Sequence, residues 1–258
     1  MVLNDLQDTL LPLAIAVGSA LLVVVVLQKD LGTGVALVSI VLSMLFVSGM
    51  DAKLLAKIVG LVAVVGVLMI VTSPHRLERV GTFLQGDDNY HIQQARIAIG
   101  SGGLLGLGIG KSVQATGYLP EAINDSIFAI MGETFGFVGL MAILALFTAL
   151  LLSLLRISAR LADPNLRLVV AGVFGWVASH VVLNVAAMTG IGPLTGIPLP
   201  LLSYGGTSML FIAAALGLAF QLSSFTSHKP LIEGEGSGQD SSSRRRLGRT
   251  RYASGRSL

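Results

Sequence analysis

Apolar and polar residues in this chain come in blocks and do not alternate. Six apolar blocks, at about 10–27, 33–50, 55–72, 134–155, 168–189 and 207–223, hold no charged residue except Lys57 near one edge. Each is about the length a helix needs to cross a hydrocarbon core of about 30 Å. The pattern predicts an all-α integral membrane protein with about six transmembrane helices, spanning 1–226. A long polar segment, about 73–125, separates the third block from the fourth. A further stretch, 190–206, is too broken by Pro193, Pro198, Pro200 and glycines for a regular span, yet too apolar for a free loop. Irregular backbone at membrane depth is tolerated only inside protein or along a wet cavity. A re-entrant, cavity-lining segment is therefore expected there, against an ordinary connecting turn as the alternative.

Composition agrees with this pattern: 53% of the 258 residues are hydrophobic and 12% charged. A soluble domain would carry about a quarter charged residues. Cysteine is absent, so disulfide and thiol chemistry are excluded. The N-terminal MVLNDLQDTL lacks the basic region of a cleavable signal peptide. The net charge of +3 says little, but its distribution orients the chain. Lys53 and Lys57 share one short loop, and Arg156, Arg160 and Arg167 share another. The Gly/Ser/Arg-rich stretch 227–258 carries Lys229 and an arginine cluster. With six crossings all of these fall on one side, which the positive-inside rule makes cytoplasmic. The tail is expected to be a disordered cytoplasmic extension that touches anionic lipid; nucleic-acid binding is a poor second reading. Asp30, the 73–125 segment and the 190–206 stretch then face outward.

The outer side holds the unusual polar motifs. Asp125 precedes the apolar run Ser126-Ile127-Phe128. It reads first as a helix N-cap, and compatible with that is a carboxylate held ionised at a helix N-terminus, fit to serve as a general base. Asp30 lies between two spans with almost no loop, where a charge either faces a cavity or sits in a tight interfacial turn. IGSGGLLGLGIGKS, 99–112, is not a P-loop, because Leu105 stands where the motif needs glycine. Its glycines predict close backbone packing or a sharp re-entrant turn. The four histidines show no metal-ligand spacing. His180 and Asn184 share a helical face, as a polar helix contact or a cavity lining.

Together these motifs resemble the SEDS family of bacterial cell-wall polymerases, relatives of FtsW, RodA and SpoVE. Gln28-Lys29-Asp30-Leu31-Gly32-Thr33 is similar to the family's Q-P-D-L-G-T. Arg79, Phe83, Tyr90 and Gln94, followed by AIGSGGLLGLGIGKSVQ, follow its outer-loop pattern. GYLPEAINDSIFAIMGETFGFVG resembles G-Y-L-P-E-A-H-[TN]-D-F-I-F-A-x-x-x-E-E-x-G, and NVAAMTGIGPLTGIPLPLLSYGGTSML resembles the C-terminal signature. The departures are Lys29 for proline, Ile123 for histidine, Ala115-Thr116 before Gly117, Thr134 for the second acid, and six spans where the family has ten. The first four spans are the part without a counterpart.

The resemblance implies an inverting peptidoglycan glycosyltransferase. Such an enzyme polymerises lipid II at the outer face of the bacterial cytoplasmic membrane, in division or elongation, with a class B penicillin-binding protein. Asp125 maps onto the family's essential loop aspartate, as catalytic base. Arg79, Gln94, Lys111, Ser112, Glu121, Asn184, Ser203 and Tyr204 are the implied contacts to lipid II and the undecaprenyl-linked glycan. Arg79, with Lys111 or Arg96, is placed to stabilise the leaving pyrophosphate. Asp30, Gln28, Glu133, Pro193 and Thr195 are assigned to structure or cavity. No cofactor is fixed, and a divalent cation, magnesium or manganese, is compatible with the pyrophosphate. The competing readings are a lipid-linked precursor transporter and a non-catalytic, partner-binding member.

Overall fold

The computed structural model describes residues 11–27, 30–73, 77, 81, 90–116, 119, 122 and 124–225. The elements among them are helices: α1 (Leu11–Leu21, continued by a π-helical turn Leu22–Leu27), α2 (Leu31–Val47), α3 (Ala52–Val71), α4 (Tyr90–Ser101), α5 (Ile127–Arg160), α6 (Pro164–Thr189) and α7 (Gly206–Ser223), with a 3₁₀ turn at Gln114–Thr116. The six apolar blocks fall on α1, α2, α3, α5, α6 and α7. Of these, α3, α5, α6 and α7 are long and apolar enough to cross a membrane, whereas α1 and α2 are shorter apolar helices. The described residues thus give four full-length candidates where the hydropathy blocks suggest six.

Acidic caps start three of the helices. Asp30 accepts from the Thr33 amide, Asp51 from that of Lys53, and Asp163 from that of Asn165. Each removes one of the amides a helix start leaves without a partner. Pro164 follows Asp163 at the first turn of α6, where its missing N–H costs nothing.

Half of the apolar window of α6 is buried, and α6 is the axis of the bundle. It runs antiparallel to α2, with Gly172 against Ile40 and Met44 and Gly175 against Ser39 and Ser43. A Cβ at Gly175 would lie 2.6 Å from the Ser39 carbonyl oxygen, so only glycine permits this approach. The Ser43 hydroxyl, close enough to cross between the helices, donates to the Ala171 carbonyl at 2.7 Å. Small residues and bridging hydroxyls are what hold helices together where lipid removes the hydrophobic drive. On the other flank, Phe128, Leu140, Phe147 and Leu154 of α5 join Val170, Val173, Val177 and Val181 of α6 in one core. Helix α3 contributes no buried residue and turns Leu61, Val64 and Leu68 outward.

Helix α4 lies inside the segment expected to be a polar loop. Its Ile92, Ala95 and Ala98 are buried at three-residue spacing, while Tyr90, Gln93, Arg96 and Ile97 stay exposed. So short an apolar stripe among polar neighbours is hard to see in a hydropathy pattern.

Helix α5 begins at Ile127, earlier than the block starting near 134, and breaks at Gly136 (φ 69°, ψ −169°). The glycine-rich loop is inserted at the break. The Leu107 and Gly108 amides donate to the Glu133 and Thr134 carbonyls, at 2.9 and 3.0 Å. The Phe137 and Val138 amides donate to the Gly103 and Leu104 carbonyls, at 2.9 and 3.1 Å. A break in an apolar medium is stable only when the freed backbone groups find such partners.

Helices α2, α5 and α7 begin, and α6 ends, at the same end of the bundle. The α2–α3 and α5–α6 connections, with Lys53 and Arg160, lie at the other end.

Candidate functional site: a cleft at the helix starts

Asp125 sits in the turn before α5. Sequence reasoning treats it as the N-cap, but the cap position belongs to Ser126, and no side-chain capping bond forms there. Ser126 has φ −94° and ψ 6°, not the extended conformation from which a cap side chain reaches back to the first amides. Its hydroxyl is used elsewhere. It donates to Asp125 Oδ1 at 3.3 Å and lies 2.5 Å from His91 Nε2.

Asn184 on α6 fixes the turn. Its Nδ2 donates both to the Asp125 carbonyl, at 2.6 Å, and to the Ile197 carbonyl, at 2.7 Å. One buried amide therefore rivets the Asp125 turn to the irregular 191–205 segment. Gly196, next to Ile197 and at φ +67°, lies on the Asp125 side: a Cβ there would be 3.9 Å from Asp125 Oδ2. The same segment packs on the start of α2. A Cβ at Gly32 would lie 2.8 Å from Ile197 Cγ1 and 3.1 Å from the Thr195 carbonyl oxygen.

Between these elements is a cleft of about 450 Å³, lined by Asp30, Thr33, His180, Thr195, Gly196, Ile197, Pro198 and Ser208. Asp30 is held by Thr33, whose hydroxyl donates to Oδ2 at 2.6 Å. His180 Nε2 accepts from Trp176 Nε1 at 3.0 Å. Among the described residues, Thr195 Oγ1 and Asn184 Oδ1 are buried without a hydrogen-bond partner, while the other edge of the His180 ring faces the Pro198 backbone. Buried polar atoms are normally satisfied, so such a concentration marks a place where a ligand or water completes the bonding.

The remaining candidates separate from this cleft. Glu133 is fully buried in the first part of α5. Its carboxylate accepts from the Ser112 hydroxyl, from the Val113 amide at 3.0 Å and from the Gln114 amide at 3.2 Å. Ser112, expected to contact substrate, donates its hydroxyl to Glu133. Ser203, expected likewise, closes its own turn: its Oγ accepts from the Leu199 amide at 2.7 Å and its amide donates to the Leu199 carbonyl at 3.0 Å. Arg96 donates to the Gly190 carbonyl at 3.2 Å, bracing the left-handed end of α6. Lys111, Tyr204 and Pro193 are exposed, and Gln94 is half-buried on α4. Gln28, Arg79, Glu121 and the basic tail lie outside the described residues. Sequence reasoning missed His91 and Ser126; the only signal was a histidine one turn ahead of the small-residue stripe of α4. Among the described residues no group of three or more acids or histidines gathers to hold a metal, and no preformed cation cage is evident.

The family model of FtsW, RodA and SpoVE, described as cell cycle protein, matches residues 1–228. The chain belongs to this family. Stage V sporulation protein E of Bacillus subtilis is 36% identical over 210 residues, covering 79% of this chain and 57% of that protein. The probable peptidoglycan glycosyltransferase FtsW of Marinobacter nauticus is 37% identical over 205 residues, covering 76% of this chain and 51% of that protein. The protein of the same name in Mycobacterium tuberculosis is 36% identical over 231 residues, covering 88% and 43%. The chain thus spans about half the length of the curated relatives it matches. Among solved structures, a peptidoglycan synthase complex that coordinates polymerization and crosslinking is similar at a TM-score of 0.60 and 28% identity, over 78% of this chain and 57% of that one. A mutant of the rod shape determining protein RodA of Thermus thermophilus is similar at 0.54 and 28%, over 81% and 53%. Family and helices together make this a multi-pass membrane protein.

Proposed function

We propose that this chain carries the acceptor-activating site of a peptidoglycan glycosyltransferase that polymerises lipid II. The observation that carries the reading is the Asp125 turn, riveted by Asn184 to the segment lining the cleft. The acceptor sugar hydroxyl attacks the anomeric carbon of the lipid-linked donor, Asp125 takes its proton, and the undecaprenyl pyrophosphate leaves with inversion. One carboxylate suffices, because pyrophosphate departs without an acid; a glycosidase needs two. The starts of α5 and α7 carry no side-chain capping bond at this end, and the positive ends of their helix dipoles favour the developing negative charge. Arg79 and Lys111 are proposed to add charge to that group.

The basic residues at the opposite end support a cleft on the extracytoplasmic face, with six crossings, a re-entrant 190–206 segment and a cytoplasmic tail from 227. The similar synthase complex joins polymerization to crosslinking, which supports a class B penicillin-binding protein as partner. The test is lipid II polymerisation in nanodiscs, with and without such a partner. Asp125→Asn is expected to lower the rate by about 10²- to 10⁴-fold at an unchanged unfolding midpoint. Retained polymerisation in that variant rejects the assigned base. Asp30 and His180 beside a cleft at the end of the bundle also fit a transporter of lipid-linked precursor. Translocation of labelled lipid II in vesicles by the Asp125→Asn variant would favour that second reading.

A further inference from the structure

We infer that the glycine loop dips into the membrane leaflet on the side of the cleft, with Leu104, Leu105 and Ile109 among the acyl chains. The inference stands on the loop's own geometry and does not depend on Asp125 being the base.

From 103 to 110 every residue is glycine, leucine or isoleucine. A turn that faces water is commonly built with Asn, Asp or Ser, and this one has none of them. Leu104, Leu105 and Ile109 are 71%, 81% and 83% exposed. Single exposed apolar side chains are ordinary, but three within six residues form a patch that calls for an apolar partner.

Depth says which partner. Helix α5 has no charged residue between Gly136 and Arg156. That stretch rises about 30 Å, the thickness of a hydrocarbon core. With Arg156 at one boundary, Gly136 lies at the other. The loop is bonded at that level: the Leu107 and Gly108 amides reach the Glu133 and Thr134 carbonyls, and the Phe137 and Val138 amides reach those of Gly103 and Leu104. Its exposed side chains therefore stand where water gives way to lipid. Val138, whose amide bonds Leu104, is exposed too, as are Phe137 and Met141, so loop and span present apolar surface side by side.

The loop also meets the condition for entering lipid, where backbone groups need partners within the protein. Besides the four bonds to α5, the Gly106 amide donates to the Gly102 carbonyl at 2.8 Å. Lys111 follows at the rim and is exposed. Its stem can lie along apolar surface while its ammonium reaches lipid phosphate. Between Tyr90 and Pro120 there is no acidic residue to oppose an anionic leaflet. Anchored in this way, the loop holds the Ser112–Gln114 turn, and Glu133 bonded to it, at the membrane surface.

The chain has no cysteine, so a nitroxide can be placed at a single site without background. The full chain carrying Leu105→Cys, Ile109→Cys or Met141→Cys is labelled and reconstituted in nanodiscs of phosphatidylethanolamine and phosphatidylglycerol. Power-saturation EPR then compares collision with oxygen, which partitions into lipid, and with a water-soluble nickel chelate. All three side chains are exposed, so each label fits without repacking. The labels at 105 and 109 are expected to favour oxygen, as the label at 141 does, at a depth of about 5–10 Å below the lipid phosphates. Preference for the nickel chelate at 105 and 109 places the loop in water and overturns the inference. Shielding from both reagents means that protein covers the patch, a second copy or another segment, and overturns it as well. The two loop sites are read separately, so the loss of one variant to misfolding leaves the other as the test. Neither reading requires the chain to make polymer.

Discussion

Two stretches of irregular backbone meet helix ends in this protein, and they are finished in opposite ways. The glycine loop, 102–112, is closed upon α5. Four backbone hydrogen bonds bridge the break at Gly136, and the Glu133 carboxylate collects the Ser112 hydroxyl and two amides. Gln114 Oε1 is the buried side-chain atom left over there. The 191–205 segment is held by the Asn184 bond to the Ile197 carbonyl, by the Ser203 turn, and by the Ile191 and Gly192 amides donating to the Ala186 carbonyl. It keeps Thr195 Oγ1 and Asn184 Oδ1 unsatisfied beside the cleft. It also carries Leu201 at φ 64°, a conformation that costs a non-glycine residue energy. A region whose polar groups are nearly all spent on each other specifies a fold. A region that holds polar groups in reserve, in strained backbone, is equipped to meet a ligand. Substitutions in the first should therefore act on stability, and substitutions in the second on turnover.

The largest effect expected from this contrast is at Gly106. Its φ of +80° suits glycine, and a Cβ there would collide with the Thr134 carbonyl across the α5 break. Gly106→Ala is expected to destabilise by about 4 kcal/mol or more. The measurement is the yield of monodisperse protein in detergent and its unfolding midpoint. An unchanged midpoint would mean that the loop does not close the break as described.

The two regions were not equally legible in the sequence. The apolar blocks placed six helices, because lipid-exposed and core faces are both apolar and leave a strong signal. Helix α4 escaped, since only Ile92, Ala95 and Ala98 are buried in it and two of these are alanines. The glycine density announced close backbone approach, but not its partner: no local pattern says that Gly106 meets Thr134 across a break. Asp125 and Asn184 were reached by motif resemblance, while the bond that joins them spans 59 residues and exists only in the fold. Ser112 and Ser203 show the converse. Their hydroxyls read as ligand contacts, yet each satisfies a neighbouring carboxylate or amide. A side chain's chemistry is written in the sequence, but whether that chemistry is already spent is decided by packing.

Asn184 joins the two behaviours and sharpens the comparison at intermediate size. Asn184→Ala removes two hydrogen bonds and leaves the Asp125 and Ile197 carbonyls short of a donor. The expected cost is about 1–3 kcal/mol. If the rivet also sets the Asp125 turn against the cleft, polymerisation per folded molecule should fall at least about tenfold, since a displacement near 1 Å is enough for losses of that order. Measuring the rate below the lowered unfolding midpoint separates the two effects. Full activity among the surviving molecules would make Asn184 purely structural.

The smallest expected change in stability is also the most discriminating. Thr195 Oγ1 is buried in the cleft wall without a partner among the described residues. Thr195→Val keeps the shape and removes only the hydroxyl. At a position where the hydroxyl were bonded, this change would cost about 1 kcal/mol. Here it removes an unsatisfied group, so the midpoint should hold or rise slightly. The same hydroxyl is then free to bond a bound sugar or pyrophosphate oxygen, and its loss should appear in KM for lipid II with kcat little changed, the signature of binding lost equally from ground and transition state. Stability and affinity are thus expected to move in opposite directions at this one atom. A lowered midpoint with unaltered KM would place Thr195 with Ser112 and Ser203, among the hydroxyls already spent on the fold.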